Sequence, residues 1–104
     1  MASPYNPPKK NEDFIIYVAL SSMTTAGALQ SNPTIAAGDF QISKDGGAFA
    51  NLNTLPAVTP AAGRAVKIEL SSTEMNCDNV FVFWVDQTTA KEWADGWISI
   101  PTTA

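Results

Sequence analysis

The chain has 104 residues, enough for one hydrophobic core but not for two. Ten carboxylates face six basic residues, for a net charge of −4, and the basic residues are scattered except at Lys9-Lys10. A protein that neutralises phosphates needs a basic face, so nucleic acid is not expected as a partner. No apolar run approaches the length of a membrane span and the N-terminus lacks a signal-peptide core, so no membrane partner is expected either. The single cysteine, Cys77, cannot close an internal disulfide, so the fold must rest on packing, as suits a reducing cytoplasm. A buried, inert thiol is the expectation for it, with a reactive or intersubunit thiol as the alternative. Small and β-favouring residues with seven prolines make an all-β composition rich in turns.

Residues 1–11, MASPYNPPKKN, hold three prolines and no periodicity. They read as an extended, proline-rich arm, set apart from a β-domain over 12–104. The arm is either a free tail or an attachment device lying along a neighbouring subunit, with Tyr5, Pro7 and Pro8 as its contacts. Glu12 to Leu20 is the first strand. Phe14, Ile16, Val18 and Leu20 share one face and Ile15, Tyr17 and Ala19 the other, so both faces are apolar. Ser21 to Asn32 reads as a loop with a short strand near Ala28–Gln30, and Pro33 biases Asn32 toward an extended conformation.

Asp39 to Leu52 reads as a hairpin. Phe40 and Ile42 alternate with Gln41 and Ser43, Asp45-Gly46-Gly47 supplies the positive-φ residues of a tight turn, and Phe49 begins the return. Leu52 to Pro60 carries two prolines and is expected at a sheet edge, where a missing N–H costs least. Ala61 to Arg64 then turns into a strictly alternating strand, Val66, Ile68 and Leu70 against Lys67 and Glu69. Ser71 and Glu74 have the spacing of a capping box, which predicts one helical turn over 71–76 with Met75 plugging the core. Val80 to Val85 is a strand apolar on both faces. Asp86 to Lys91 is a polar loop, and Trp93 to Ile100 is the last strand, with Gly96 marking a bulge or kink and Pro101 ending it. Strand, one-turn corner and buried strand point to an immunoglobulin-like β-sandwich of about seven strands.

The run LSSTEMNCDNVFVFW, residues 70–84, follows the pattern L-[ST]-x-x-E-M-N-x-D-x-V-x-V-x-[FW], and NPTIAAGDFQISKDGGAFANL precedes it with Asn32-Pro33, Asp39 and Asp45-Gly46-Gly47 in order. Together they resemble a family of small immunoglobulin-like β-domains found among the virion structural proteins of tailed bacteriophages, over roughly residues 5–101. The resemblance implies a virion protein, present in the host cytoplasm during assembly, whose partners are the major capsid protein or other virion proteins.

No catalytic constellation is visible. Without histidine the serine-triad and cysteine–histidine mechanisms are excluded in their ordinary forms, and zinc loses its usual ligand. Glu74 is accounted for as a cap, Glu69 as a solvated strand face, and Asp45-Gly46-Gly47 as a turn instead of an ion site. No cofactor and no enzyme activity are expected. What exceeds the needs of a monomer is apolar surface: a two-layer sandwich keeps one wet face per sheet, yet the strands at 14–20 and 80–85 are apolar on both. Tyr17, Phe81, Phe83, Trp93 and Trp97 are therefore interface candidates beside Tyr5, Pro7 and Pro8. The leading expectation is a capsid decoration or cement protein, homo-oligomeric or multicopy on the particle. A chain of this length opening on Met1 is expected to be self-contained, not a fragment of a long fibre. The alternatives are a neck, tail or fibre-attachment component, and a glycan-binding adhesion module in which Trp93 and Trp97, four apart in a strand, stack sugars.

Overall fold

The structure, a computed structural model, describes residues 8–103, so Tyr5 and Pro7 lie outside the described residues. Seven strands form in order: β1 (Phe14–Ala19), β2 (Phe40–Lys44), β3 (Ala50–Asn51), β4 (Ala57–Thr59), β5 (Ala65–Leu70), β6 (Asn79–Trp84) and β7 (Gly96–Pro101). They build two antiparallel sheets, one ordered β1-β5-β4 and the other β3-β2-β6-β7. The chain is all-β. No helix forms among the described residues, and the corner at 71–76 is a set of hydrogen-bonded turns in which the Met75 N–H donates to Ser71 O at 3.0 Å.

Alternation decides which side chains meet. On one sheet Phe14 lies opposite Leu70, Ile16 opposite Ile68 and Val18 opposite Val66. On the other, Phe40 faces Trp84 and Ile42 faces Val82, while Val82 and Val80 also pair with Ile98 and Ile100. These inner faces close on one another as a single apolar cluster that includes Leu20, Met75, Cys77 and Trp93. Phe40 packs against two indoles, that of Trp84 at a centroid distance of 5.5 Å and that of Trp93 at 5.9 Å. Met75 fills the core at the corner, as its position after Glu74 predicts.

The corner is held by the reciprocal pair that the Ser71–Glu74 spacing implies. The Glu74 N–H donates to Ser71 Oγ at 3.2 Å and the Ser71 N–H to Glu74 Oε1 at 2.9 Å. Glu74 Oε2 also accepts the Asn53 N–H at 3.0 Å, which ties the β3–β4 connection to the corner. Cys77, just beyond, is buried, and its thiol points at Asn79 O, 3.4 Å away. Burial, with Asp45 nearby, pushes that thiol above its ordinary pKa. The β2 turn is as predicted: Asp45 and Gly46 take φ of 51° and 77°, and the Asp45 carboxylate accepts the Asn79 N–H at 2.8 Å. β4, flanked by Pro56 and Pro60, sits at the edge of its sheet.

Three local expectations are corrected. Asn32 is not extended: its φ is 47°, a left-handed conformation that asparagine tolerates, and its N–H donates to Gly63 O at 2.7 Å. The last strand begins at Gly96 and not at Trp93, which instead bridges to Ser22 beyond the end of β1. Gly96 is paired in register with Trp84 and is not a bulge. It is glycine because the Trp84 indole lies on it, so that a Cβ there would sit 2.5 Å from Trp84 Nε1. Residues 8–11 of the arm are bonded onto the domain: the Thr103 N–H donates to Pro8 O at 2.9 Å and the Asn11 N–H to Met75 O at 3.3 Å.

Two substitutions check these close contacts. Ser71→Ala removes the acceptor for the Glu74 N–H and should cost about 1 kcal/mol in urea denaturation; an unchanged midpoint would mean the cap contributes nothing. Gly96→Ala must displace the Trp84 ring from its place beside Phe40 and should cost about 1–3 kcal/mol, with a changed near-ultraviolet tryptophan signal as the accompanying mark.

Candidate interaction surface

β6 is apolar at every position from Val80 to Trp84, and a strand can turn only alternate side chains inward. Val80, Val82 and Trp84 are buried, so Phe81 and Phe83 emerge on the outer side of the four-stranded sheet. Register places Gln41 and Ser43 of β2 beside them on one flank, and Trp97 and Ser99 of β7 on the other. Phe49, in the β2–β3 connection, folds back over this face. Its ring stands edge-on to Phe81 at 6.0 Å and to Phe83 at 6.3 Å. Phe81 and Phe83 stack at 6.3 Å, and Phe81 lies 5.8 Å from Trp97. These spacings are those of mutually attractive aromatic pairs, so the four rings form one cluster.

The cluster is outside the core, yet large parts of it face solvent. Trp97 is 63% exposed and Phe49 50%, whereas Phe81 and Phe83 are half-buried by their neighbours. A shallow groove of about 420 Å³ runs between Gln41, Phe49, Phe81 and Phe83. The polar side chains of this face are uncharged and bonded in pairs: Gln41 Nε2 donates to Asn51 Oδ1 at 3.2 Å, and Asn79 Nδ2 to Ser99 Oγ at 3.1 Å. None of the residues that register places on this face, from Gln41 to Ser99, carries a charge.

The outer side of the other sheet differs. Ile15 and Tyr17 are exposed there, Tyr17 by 60%, but they stand in register with Glu69 and Lys67, which form an ion pair at 3.0 Å. The hydrogen bond and charge of Glu69 raise the Lys67 pKa. Two further depressions, of about 260 and 220 Å³, lie near Asp13, Glu69 and Ser71, and near Leu52, Leu55 and Pro56. In the first, Asp13 already accepts the Ser72 N–H at 2.8 Å and Glu69 is paired with Lys67. Among the described residues no three acidic or thiol side chains gather to hold a metal ion.

Of the interface candidates, the structure brings Phe81, Phe83 and Trp97 together and leaves Tyr17 on the opposite sheet. Pro8 is half-buried, its carbonyl bonded to Thr103. Trp93 does not join them. It is wholly enclosed, its Nε1–H donates to Thr34 O at 3.3 Å, and a Trp93–Trp97 sugar platform is therefore ruled out. The reason is that Trp93 precedes the strand and turns into the end of the core, while Trp97 belongs to β7 and points outward. Phe49 was not anticipated; its place just after a Gly-Gly turn, two residues before outward Asn51, is the sequence signal that it shares the outer face.

No family model matches this chain, and neither does a curated protein or a solved structure.

The two tryptophans should separate cleanly in equilibrium unfolding. Trp93→Ala should cost about 3–5 kcal/mol, as expected for emptying a packed aromatic site, whereas Trp97→Ala should stay within about 0.5 kcal/mol of the parent. Similar losses for both would show that the outer cluster is structural.

Proposed function

We propose that the chain is a non-catalytic virion structural protein of a tailed bacteriophage, an immunoglobulin-like domain that binds the assembled capsid as a decoration or cement protein. The strand orders β1-β5-β4 and β3-β2-β6-β7, joined through a one-turn corner after β5, suit such a domain. The virion assignment rests on the resemblance carried by residues 70–84 and 32–52. The mode of binding rests on one observation, the uncharged aromatic face of Phe49, Phe81, Phe83 and Trp97. Burying a large ring is worth roughly 1.5–3 kcal/mol, so rings left half in water are a reservoir of contact energy for a partner surface. Aromatic residues at the centre of a patch with a polar rim are also where binding energy concentrates in protein interfaces.

A glycan is the second reading, favoured by the same groove. Stacked rings rimmed by the amides of Gln41, Asn51 and Asn79 and the Ser99 hydroxyl offer a sugar both an apolar face and hydrogen-bond partners.

Co-sedimentation with capsids lacking the protein distinguishes these. Wild type should pellet with the shells, and Phe49→Ala/Trp97→Ala should lose that binding by about tenfold or more while keeping its melting temperature. Tyr17→Ala should bind as wild type does. Undiminished binding by the double variant would sink the aromatic-face mode, and retention of wild type on a glycan array with no shell binding would replace the capsid reading by the glycan one.

A further inference from the structure

β1 closes one side of its sheet, and parity decides which of its backbone groups are committed. In an antiparallel pair, residues that bond to the neighbouring strand alternate with residues that point away from it. Leu20 belongs to the first set. Its carbonyl accepts the Gln30 N–H at 2.6 Å, and the segment after Gln30 lies on the β5 flank: the Asn32 N–H donates to Gly63 O at 2.7 Å, and Ala65, just beyond, is in register with Ala19. Ser21 belongs to the second set, since its carbonyl accepts the Ala94 N–H at 2.9 Å on the opposite flank. Counting back by twos, Phe14, Ile16 and Val18 bond to β5, while the N–H and C=O groups of Ile15, Tyr17 and Ala19 point to the open flank. Among the described residues nothing bonds to them there.

We infer that a second copy of this chain pairs with that flank, β1 against β1, antiparallel about a two-fold axis at Tyr17. One register uses all three free residues and nothing else: Tyr17 opposite its own counterpart, and Ile15 opposite Ala19 of the second copy. Shifted one step, Ile15 meets Ser21 of the second copy, whose carbonyl is already taken by Ala94. Shifted the other way, Ala19 meets the charged Asp13, which is held by the Ser72 N–H at 2.8 Å. Side chains suit the same register. Opposed residues share a face, so the exposed Ile15 and Tyr17 gather across the axis, and the small Ala19 leaves room for the Ile15 it faces. No residue of β1 is charged, and the charges beside it on β5, Lys67 and Glu69, are paired with each other. A chain of net charge −4 therefore brings no like charges together at this seam. A strand that complements itself in bonding, size and charge is what a two-fold contact requires. The product is a continuous sheet ordered β4-β5-β1-β1-β5-β4, with the Phe81 and Trp97 face of each copy on the other sheet. Main-chain bonds carry it over less area than a standard interface, which makes a reversible, concentration-dependent dimer. The pairing does not depend on the capsid reading.

A residue on a two-fold axis faces itself, and charge reversal exploits this. In sedimentation equilibrium from about 10 µM to 1 mM, wild type should pass reversibly from monomer to dimer. Tyr17→Glu and Tyr17→Lys should each dimerise about tenfold or more weakly, and an equimolar mixture of the two should recover the dimer. A wild type that stays monomeric, a variant that dimerises as wild type does, or a mixture no better than its components would overturn the pairing. Amide hydrogen exchange on wild type needs no variant to fold. At the upper concentration the Tyr17 and Ala19 amides should exchange about tenfold or more slowly than at the lower, with Ile16 and Val18 unchanged. No change at Tyr17 and Ala19, or an equal change in both sets, would overturn it as well.

Discussion

Every side chain from Val80 to Trp84 is apolar, and β6 lies in the interior of its sheet with β2 on one side and β7 on the other. That combination governs the molecule. With both edges of β6 hydrogen-bonded, the strand cannot slip by one residue without exchanging its two faces, and its inner face already holds Val80, Val82 and the Trp84 indole against Phe40. The outward rings are therefore a necessary complement of the core. The Trp84 ring also dictates the neighbouring residue on β7, since it occupies the space that a side chain at position 96 would need. Core packing and surface chemistry are thus two sides of one strand.

Much of this was legible in the sequence, because alternation, turn chemistry and capping are local. Val66 to Leu70 alternates and so does its burial. Asp45-Gly46 asks for positive φ and has it. Ser71 and Glu74 are spaced to satisfy each other and do so. The misreadings share a different cause. Whether Trp93 faces in or out depends on where β7 begins, and that is decided by the backbone bridge to Ser22, a contact across more than seventy residues. Gly96 looks the same in a sequence whether it permits a bulge or the close approach of a distant ring. Asn32 escaped the bias of the proline after it because the Gly63 carbonyl rewards the left-handed turn. Non-local partners, in each case, outweighed a local preference.

The acidic balance of the chain has an internal explanation for part of its charge. Asp39, Glu74 and Asp86 are buried, and each carboxylate collects backbone N–H groups from a loop. Asp39 takes those of Ala36 and Gln87 at 3.0 and 3.2 Å, and Asp86 takes those of Thr88 and Glu92 at 3.0 and 2.7 Å. Burial by itself disfavours the charged form of Asp86, yet the donors from Glu92, Thr88 and Trp93 outweigh it and hold the carboxyl below its ordinary pKa. In a protein with long connections and no disulfide, these acids do for the loops what ladders do for the strands. Three of the ten acidic side chains are consequently spoken for within the fold.

Sheet margins have a further consequence, for the behaviour of the protein at high concentration. β3 is two residues long, β4 is three and is bracketed by prolines, and β7 carries Pro101 at its end with Pro8 beside it. Short strands and missing donors make poor templates for self-pairing. β1 has neither protection among the described residues: it is a six-residue margin of Phe, Ile, Ile, Tyr, Val and Ala, without a charge or a proline. Six apolar, β-favouring residues on a sheet margin are the composition of a segment that nucleates ordered aggregates. Crowding many copies together, in a refolding vessel or in a cell making the protein in bulk, would thus select β1 as the strand through which they stick.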